Sequence, residues 1–135
     1  MKKKRYVVDY RDTLFKYRPK TIHFTYTSPD QYLELAGRRL FKRPDGTFIE
    51  RYDPESVADL VKKMEKGTRL DPPYLEVDGE KCRVIQHGHE GRHRAVAAKQ
   101  VGIDKIPVLM FCKRGDCEHC FKDWRKTLKP PEIRW

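Results

Sequence analysis

No asparagine occurs among the 135 residues, and glutamine occurs only at Gln31, Gln86 and Gln100. Few thermolabile amides beside many Lys, Arg and Glu is a composition seen in thermophile proteins. In hyperthermophiles disulfides are admissible inside cells. No run of about 18 apolar residues exists, which excludes a helix crossing a membrane. The opening "MKKKRYVVDYRD" is basic and lacks the apolar stretch of a secretory signal, so the expectation is a soluble, cytoplasmic protein. There is no internal repeat and no low-complexity block. What remains is a chain of the length of one domain with a modest core.

Charge, by contrast, is plentiful: 37% of the residues are charged and the formal net charge is +10. Residues 1–20 carry eight Lys/Arg against two Asp, a net +6, and residues 112–135 carry seven against four, a net +3. The ninety-one residues between them carry fifteen against fourteen. The excess therefore sits on two end segments, suited to wrapping a polyanion or to serving as solubilising tails.

Turn and cap signals divide the middle of the chain. "KTIHFTY" (20–26) is β-branched and aromatic and reads as a strand. In "SPDQYLELAG", Ser28 is the expected N-cap, Pro29 the first helical residue, Gln31 the capping-box partner and Gly37 the stop. "RRLFKRPDGTFIERY" places a turn at Pro44-Asp45-Gly46 between two short apolar runs, the pattern of a hairpin. "DPESVADLVKKMEKG" reads as a helix capped by Asp53 and ended by Gly67, with Val57, Leu60, Val61 and Met64 on one stripe. "PPYLEVDGEKCRVIQ" reads as two strands joined at Asp78-Gly79. "GRHRAVAAKQVG" then reads as a short helix stopped by Gly102, and "KIPVLMF" (105–111) as a buried strand. Strands and helices in this order make an α+β domain with a short mixed sheet.

The densest polar cluster is "VIQHGHEGRHRAVAAKQVG" (84–102), where a strand hands over to the helix. A helix start exposes unpaired N–H groups and positive potential, a natural anion site. Gly88 and Gly91 would let the backbone approach a ligand, and Arg92 and Arg94 would clamp phosphate oxygens. Glu90 has three roles open to it: capping N–H groups, holding a metal, or taking a proton. His87, His89 and His93 offer acid/base or metal chemistry. The alternative is a simple cap with a solvated basic face.

These residues carry a resemblance. "HEGRHRAVAAKQVGIDKIPVLMF" resembles the signature of the ParB/sulfiredoxin-like superfamily, in which a strand, a polar motif with Gly and Arg, an Ala-rich helix, a Gly and a strand opening "IPV" follow one another. The likeness extends back through "DPESVADLVKKMEKGTRLDPPYLEVDGE" and so covers residues 53–111. It implies a ParB/sulfiredoxin-like α+β domain over 20–111, a basic arm over 1–19 and a Cys-rich basic tail over 112–135. The partition-protein branch shows Gly-Glu-Arg-Arg followed by Arg-Ala; this chain has Glu90, Arg92, Arg94 and Ala95, with His89 and Gly91 at the remaining places. The sulfiredoxin branch carries a catalytic Cys where Arg92 stands here. The free-serine kinase branch, with Asp-Gly-His-His-Arg, is close to Glu90-Gly91-Arg92-His93-Arg94. The resemblance implies a nucleotide, CTP or ATP, with a divalent metal at Gly88, Gly91, Arg92 and Arg94, and chemistry at Glu90, His89 and His93.

Cys112, Cys117 and Cys120 form C-x4-C-x2-C, with Cys82 as the fourth thiol and His119 inside the loop. Four such thiols suit a closed structural zinc site; disulfides and free thiols are the alternatives. Trp124 and Trp135 lie among Lys and Arg, a pattern that suits stacking on bases and equally suits packing an end against the core. The leading expectation is a ParB-like nucleic-acid-associated protein, with a nuclease or nucleotide-hydrolase activity open to it. DNA would be held through Lys2, Lys3, Lys4, Arg5, Lys122, Arg125 and Lys126. A phosphotransferase on a small substrate and a non-catalytic DNA-binding regulator are the alternatives.

Overall fold

The computed structural model describes residues 4–11, 21–37, 40–42, 44–46, 48–50 and 52–132. Strand β1 (Ile22–Thr27) runs into helix α1 (Pro29–Ala36). Both capping-box bonds are present: the Gln31 N–H donates to Ser28 Oγ at 3.0 Å, and the Ser28 N–H donates to Gln31 Oε1 at 3.0 Å. β2 (Leu40–Lys42) and β3 (Phe48–Glu50) pair antiparallel around the Pro44-Asp45-Gly46 turn. Helix α2 (Pro54–Glu65) starts where expected, with the Glu55 N–H donating to Asp53 Oδ1 at 3.1 Å and the Ser56 hydroxyl to Oδ2 at 2.8 Å. Its stripe buries Val57 and Met64 fully and Leu60 and Val61 in part.

Strands β4 (Tyr74–Asp78) and β5 (Arg83–Glu90) follow, then α3 (Arg92–Val101), β6 (Ile106–Arg114), α4 (Glu118–Lys122) and α5 (Trp124–Thr127). β4 and β5 are joined through four residues, 79–82, rather than a two-residue Asp-Gly turn. The longer loop is held by the Glu80 N–H donating to Asp78 Oδ1 and the Gly79 N–H donating to the Arg114 carbonyl. The four-stranded sheet has the order β1-β6-β4-β5, with β6 and β4 parallel and both outer pairs antiparallel. The chain is thus a single small α+β domain with a mixed sheet.

α1 and α2 both pack on α3, which explains its composition. Ala95, Val96, Ala97, Ala98 and Val101 are all buried, and small side chains let two helices approach a third closely. Thin side chains on α3 are therefore a packing requirement.

The segment after 111 is not a tail. β6 continues through Cys112 to Arg114, and Cys112, Cys117, Phe121, Trp124 and Leu128 belong to the same core as α1–α3. Beyond α5 the chain runs along β5, with Val84 N–H donating to the Lys129 carbonyl and Lys129 N–H to the Cys82 carbonyl, both at 2.9 Å. That contact covers part of an edge strand. The described part of the basic arm is also tied down: the Leu70 N–H donates to the Val7 carbonyl and the Asp9 N–H to the Leu70 carbonyl. Among the described residues, no helix is long and apolar enough to cross a membrane.

Candidate functional site

The 84–102 motif folds as a strand, one glycine and a helix, and Glu90, His93 and Arg94 are engaged in holding that junction together. Gly91 is the N-cap of α3 at φ 123°, and no side chain caps the helix, so Glu90 is not a cap. A Cβ on Gly91 would lie 2.5 Å from Pro73 Cβ; one on Gly88 would lie 2.9 Å from Glu76 Cβ. The two glycines admit neighbouring parts of the chain, Pro73 and Glu76, at close range. His93 Nε2 accepts the Asp53 backbone N–H at 3.2 Å. That bond needs an unprotonated Nε2 and makes His93 a link between the α3 and α2 starts. His89 lies on β5 opposite Leu75, and His87 on the same strand; the three histidines do not share a helix face.

Glu90 and Arg94 do come together, with Nη2 at 3.3 Å from Oε1. The Glu90 side chain is 60% exposed and that of Arg94 only 16%. Arg92 is buried, as is Arg94 Nε, which has no hydrogen-bond partner. The Tyr32 hydroxyl lies 3.0 Å from both the Tyr74 and the Glu90 carbonyls. Burial pushes its pKa strongly up, with Arg94 opposing. The arrangement is a partly buried cation paired with a surface carboxylate, with a tyrosine locking the strand end to α1.

A different set of basic residues faces open space. Lys4, Arg5, Tyr6, Tyr26, Asp104 and Lys105 line a cleft of about 410 Å³. The Tyr6 hydroxyl donates to the Asp71 carbonyl, which fixes the arm at the cleft wall. Phe24 and Tyr26, alternate residues of β1, are 54% and 56% exposed, while His23, between Ile22 and Phe24, stacks on Phe121 at 5.4 Å. Alternation along a strand puts these sets on opposite faces. Arg125 Nη2 donates to the Tyr26 carbonyl at 3.3 Å and its guanidinium lies 4.4 Å from the Trp124 ring. Trp124 itself is buried, its Nε1–H donating to Thr25 Oγ1 at 3.1 Å, so it packs the chain end and leaves no face for a base. Lys122 and Lys126 are exposed; Lys2, Lys3 and Trp135 lie outside the described residues. Phe24, Tyr26 and Lys105 were not singled out in the sequence, because alternation alone does not tell which face of a strand stays bare. A second cleft, at the β4–β5 loop, is lined by charges that pair with one another, Arg114 with Asp78 and Arg83 with Glu132.

The cysteines pair as Cys82–Cys120 and Cys112–Cys117. The expected four-cysteine zinc site is therefore not assembled: Cys112 and Cys117 lie against the Val77, Arg114 and Gly115 carbonyls. Instead His119 joins one pair, its Nε2 lying 3.3 Å from Cys82 Sγ and 3.4 Å from Cys120 Sγ. These three ligand atoms lie within 4.8 Å of one another, a set able to hold a metal ion once the Cys82–Cys120 bond is reduced. Cys82 has φ 48°, a left-handed backbone that costs a non-glycine residue roughly 1 kcal/mol.

Comparison with known proteins adds no identity. No family model matches the chain, and no curated protein and no solved structure matches it.

Proposed function

We propose that this chain is a nucleic-acid-associated protein of ParB/sulfiredoxin-like type that holds a single strand on the outer face of β1. The observation that carries the reading is one surface: two aromatic rings more than half exposed, flanked by cations. Phe24 and Tyr26 supply the rings; Lys4, Arg5 and Lys105 line the adjoining cleft, and Arg125 is bonded to the Tyr26 backbone. Stacked bases gain energy on aromatic faces whatever their sequence, and Lys and Arg beside them neutralise the phosphates. The superfamily resemblance is supported by the element order β5–Gly91–α3–Gly102–β6. With Arg94 paired to Glu90, the reading places nucleic acid at β1 and assigns no reaction to the helix start.

The test is fluorescence anisotropy with a labelled single-stranded oligonucleotide and a duplex of the same sequence. Phe24→Ala/Tyr26→Ala should weaken single-strand binding at least about tenfold, given about 1–3 kcal/mol per stacked base. Duplex binding should change little. Equal affinities of the variant and wild type for the single strand, or no binding at low salt, would overturn the proposal.

A further inference from the structure

We infer that Cys82, His119 and Cys120 form a redox-gated zinc site, closed as a disulfide in the oxidised protein and open to Zn²⁺ once reduced. The inference is independent of nucleic-acid binding. Tetrahedral zinc holds sulfur at about 2.3 Å and imidazole nitrogen at about 2.0 Å, which sets sulfur and nitrogen ligands roughly 3.5 Å apart. His119 Nε2 already stands 3.3 Å and 3.4 Å from the two sulfurs. Only the sulfurs must part, to roughly 3.7 Å for tetrahedral coordination.

The surroundings favour the ion. Cys82 and Cys120 are buried while His119 is exposed, so the imidazole side opens to solvent and gives the metal a way in. Two thiolates and a neutral imidazole carry the charge of one Zn²⁺, which makes the filled site neutral where the sulfurs are buried. Water takes the fourth position, beside the Gly79 carbonyl that lies 3.5 Å from Cys120 Sγ and 4.0 Å from Cys82 Sγ. The donors are soft and nitrogenous, a set that selects zinc over magnesium or calcium. Cys82 is the one described residue other than glycine with a positive φ, and such outliers persist where a site over-determines them. Cys112 and Cys117 have no part in the site.

The chemistry balances with a dithiol as reductant. The dithiol gives two electrons and two protons to the Cys82–Cys120 bond and becomes a disulfide. Zn²⁺ then displaces both thiol protons. An oxidising disulfide reverses the sequence, taking two electrons from the thiolates and expelling the ion.

The full chain is reduced anaerobically in the presence of Zn²⁺, dialysed, and its zinc counted by atomic emission alongside far-UV circular dichroism. About one zinc per reduced chain and none per oxidised chain is expected. Co²⁺ in place of zinc should give the spectrum of a two-thiolate site. His119→Ala, at an exposed position, should bind zinc at least about tenfold more weakly while the oxidised variant folds as wild type. A four-thiolate cobalt spectrum, an unchanged affinity in His119→Ala, a reduced chain that takes up no zinc, or one that unfolds despite it would each overturn the inference.

Discussion

At the scale of single residues, the strand-to-helix junction shows how a polar motif is spent on architecture. Gly91 combines φ 123° with a Cβ position only 2.5 Å from Pro73. Neither the conformation nor the space admits a side chain. Gly91→Ala should therefore lose about 2–4 kcal/mol, the sum of a left-handed backbone penalty and an overpacked contact, measured by urea denaturation. A loss under 1 kcal/mol would mean that β5 and α3 re-seat easily, and that the glycine serves something other than packing. His23 gives a pH signature on β1, at the opposite edge of the sheet from β5. Burial against Phe121 lowers its pKa from the ordinary 6.5. As pH falls, the unfolded chain takes up this proton before the folded one does. The contribution of His23 is then complete above the unfolded pKa and drains away as pH falls through the folded one. Thermal stability should decline over that interval, and His23→Phe, which keeps a ring on Phe121, should remove part of the decline. An unaltered pH profile in the variant would assign the decline to carboxylates instead.

Among the elements, those bounded by caps were legible in the sequence, because each cap is a local bond between neighbours. Ser28 with Gln31, Asp53 before Pro54, and Gly102 after Val101 mark helix ends whatever the rest of the chain does. The 118–128 region was not legible as core, although its signal is present. Cys117, Cys120, Phe121, Trp124 and Leu128 recur at helical spacing and are all buried. Lys and Arg between them and three closely spaced cysteines point to charge and metal. The candidate site divided the same way: residue types in 84–102 suggested a phosphate clamp, and only the fold shows Arg94 turned to Glu90 and His93 to Asp53. The disulfides tie these late elements to the sheet. Cys82–Cys120 spans 38 residues and Cys112–Cys117 spans 5. Closing the longer loop constrains the unfolded chain more, about 4 kcal/mol against about 2 kcal/mol on a chain-entropy basis. In oxidised protein, Cys82→Ser/Cys120→Ser should be the more destabilising pair in chemical denaturation. The reverse order would show that the short loop is held by contacts the chain-entropy account omits.

For the whole molecule, charge is placed by the fold more narrowly than by the sequence. The ends carry the excess, yet the C-terminal segment is folded into the core, so its cations appear at fixed places. Arg125 meets the backbone of β1 at Tyr26, while Lys4, Arg5 and Lys105 line the cleft beside the Tyr26 side chain, and Tyr10 packs edge-on against Phe24 at 5.7 Å. Some cations elsewhere have local partners, as Lys63 has Asp59 at 3.0 Å on α2 and Lys99 has Asp30 at 2.9 Å. A polyanion lying across β1 would displace counterions only where it meets the first group. Each phosphate neutralised on a single strand contributes roughly 0.7 to the slope of log affinity against log salt. Lys4→Gln/Arg5→Gln should then lower that slope by about 1.4. Lys62→Gln/Lys63→Gln, with the same change in net charge on exposed positions of α2, should leave the slope as it is. Anisotropy titrations across a salt series read both variants. Equal falls for the two pairs would mean that total charge governs association and that the β1 face has no special claim on the strand.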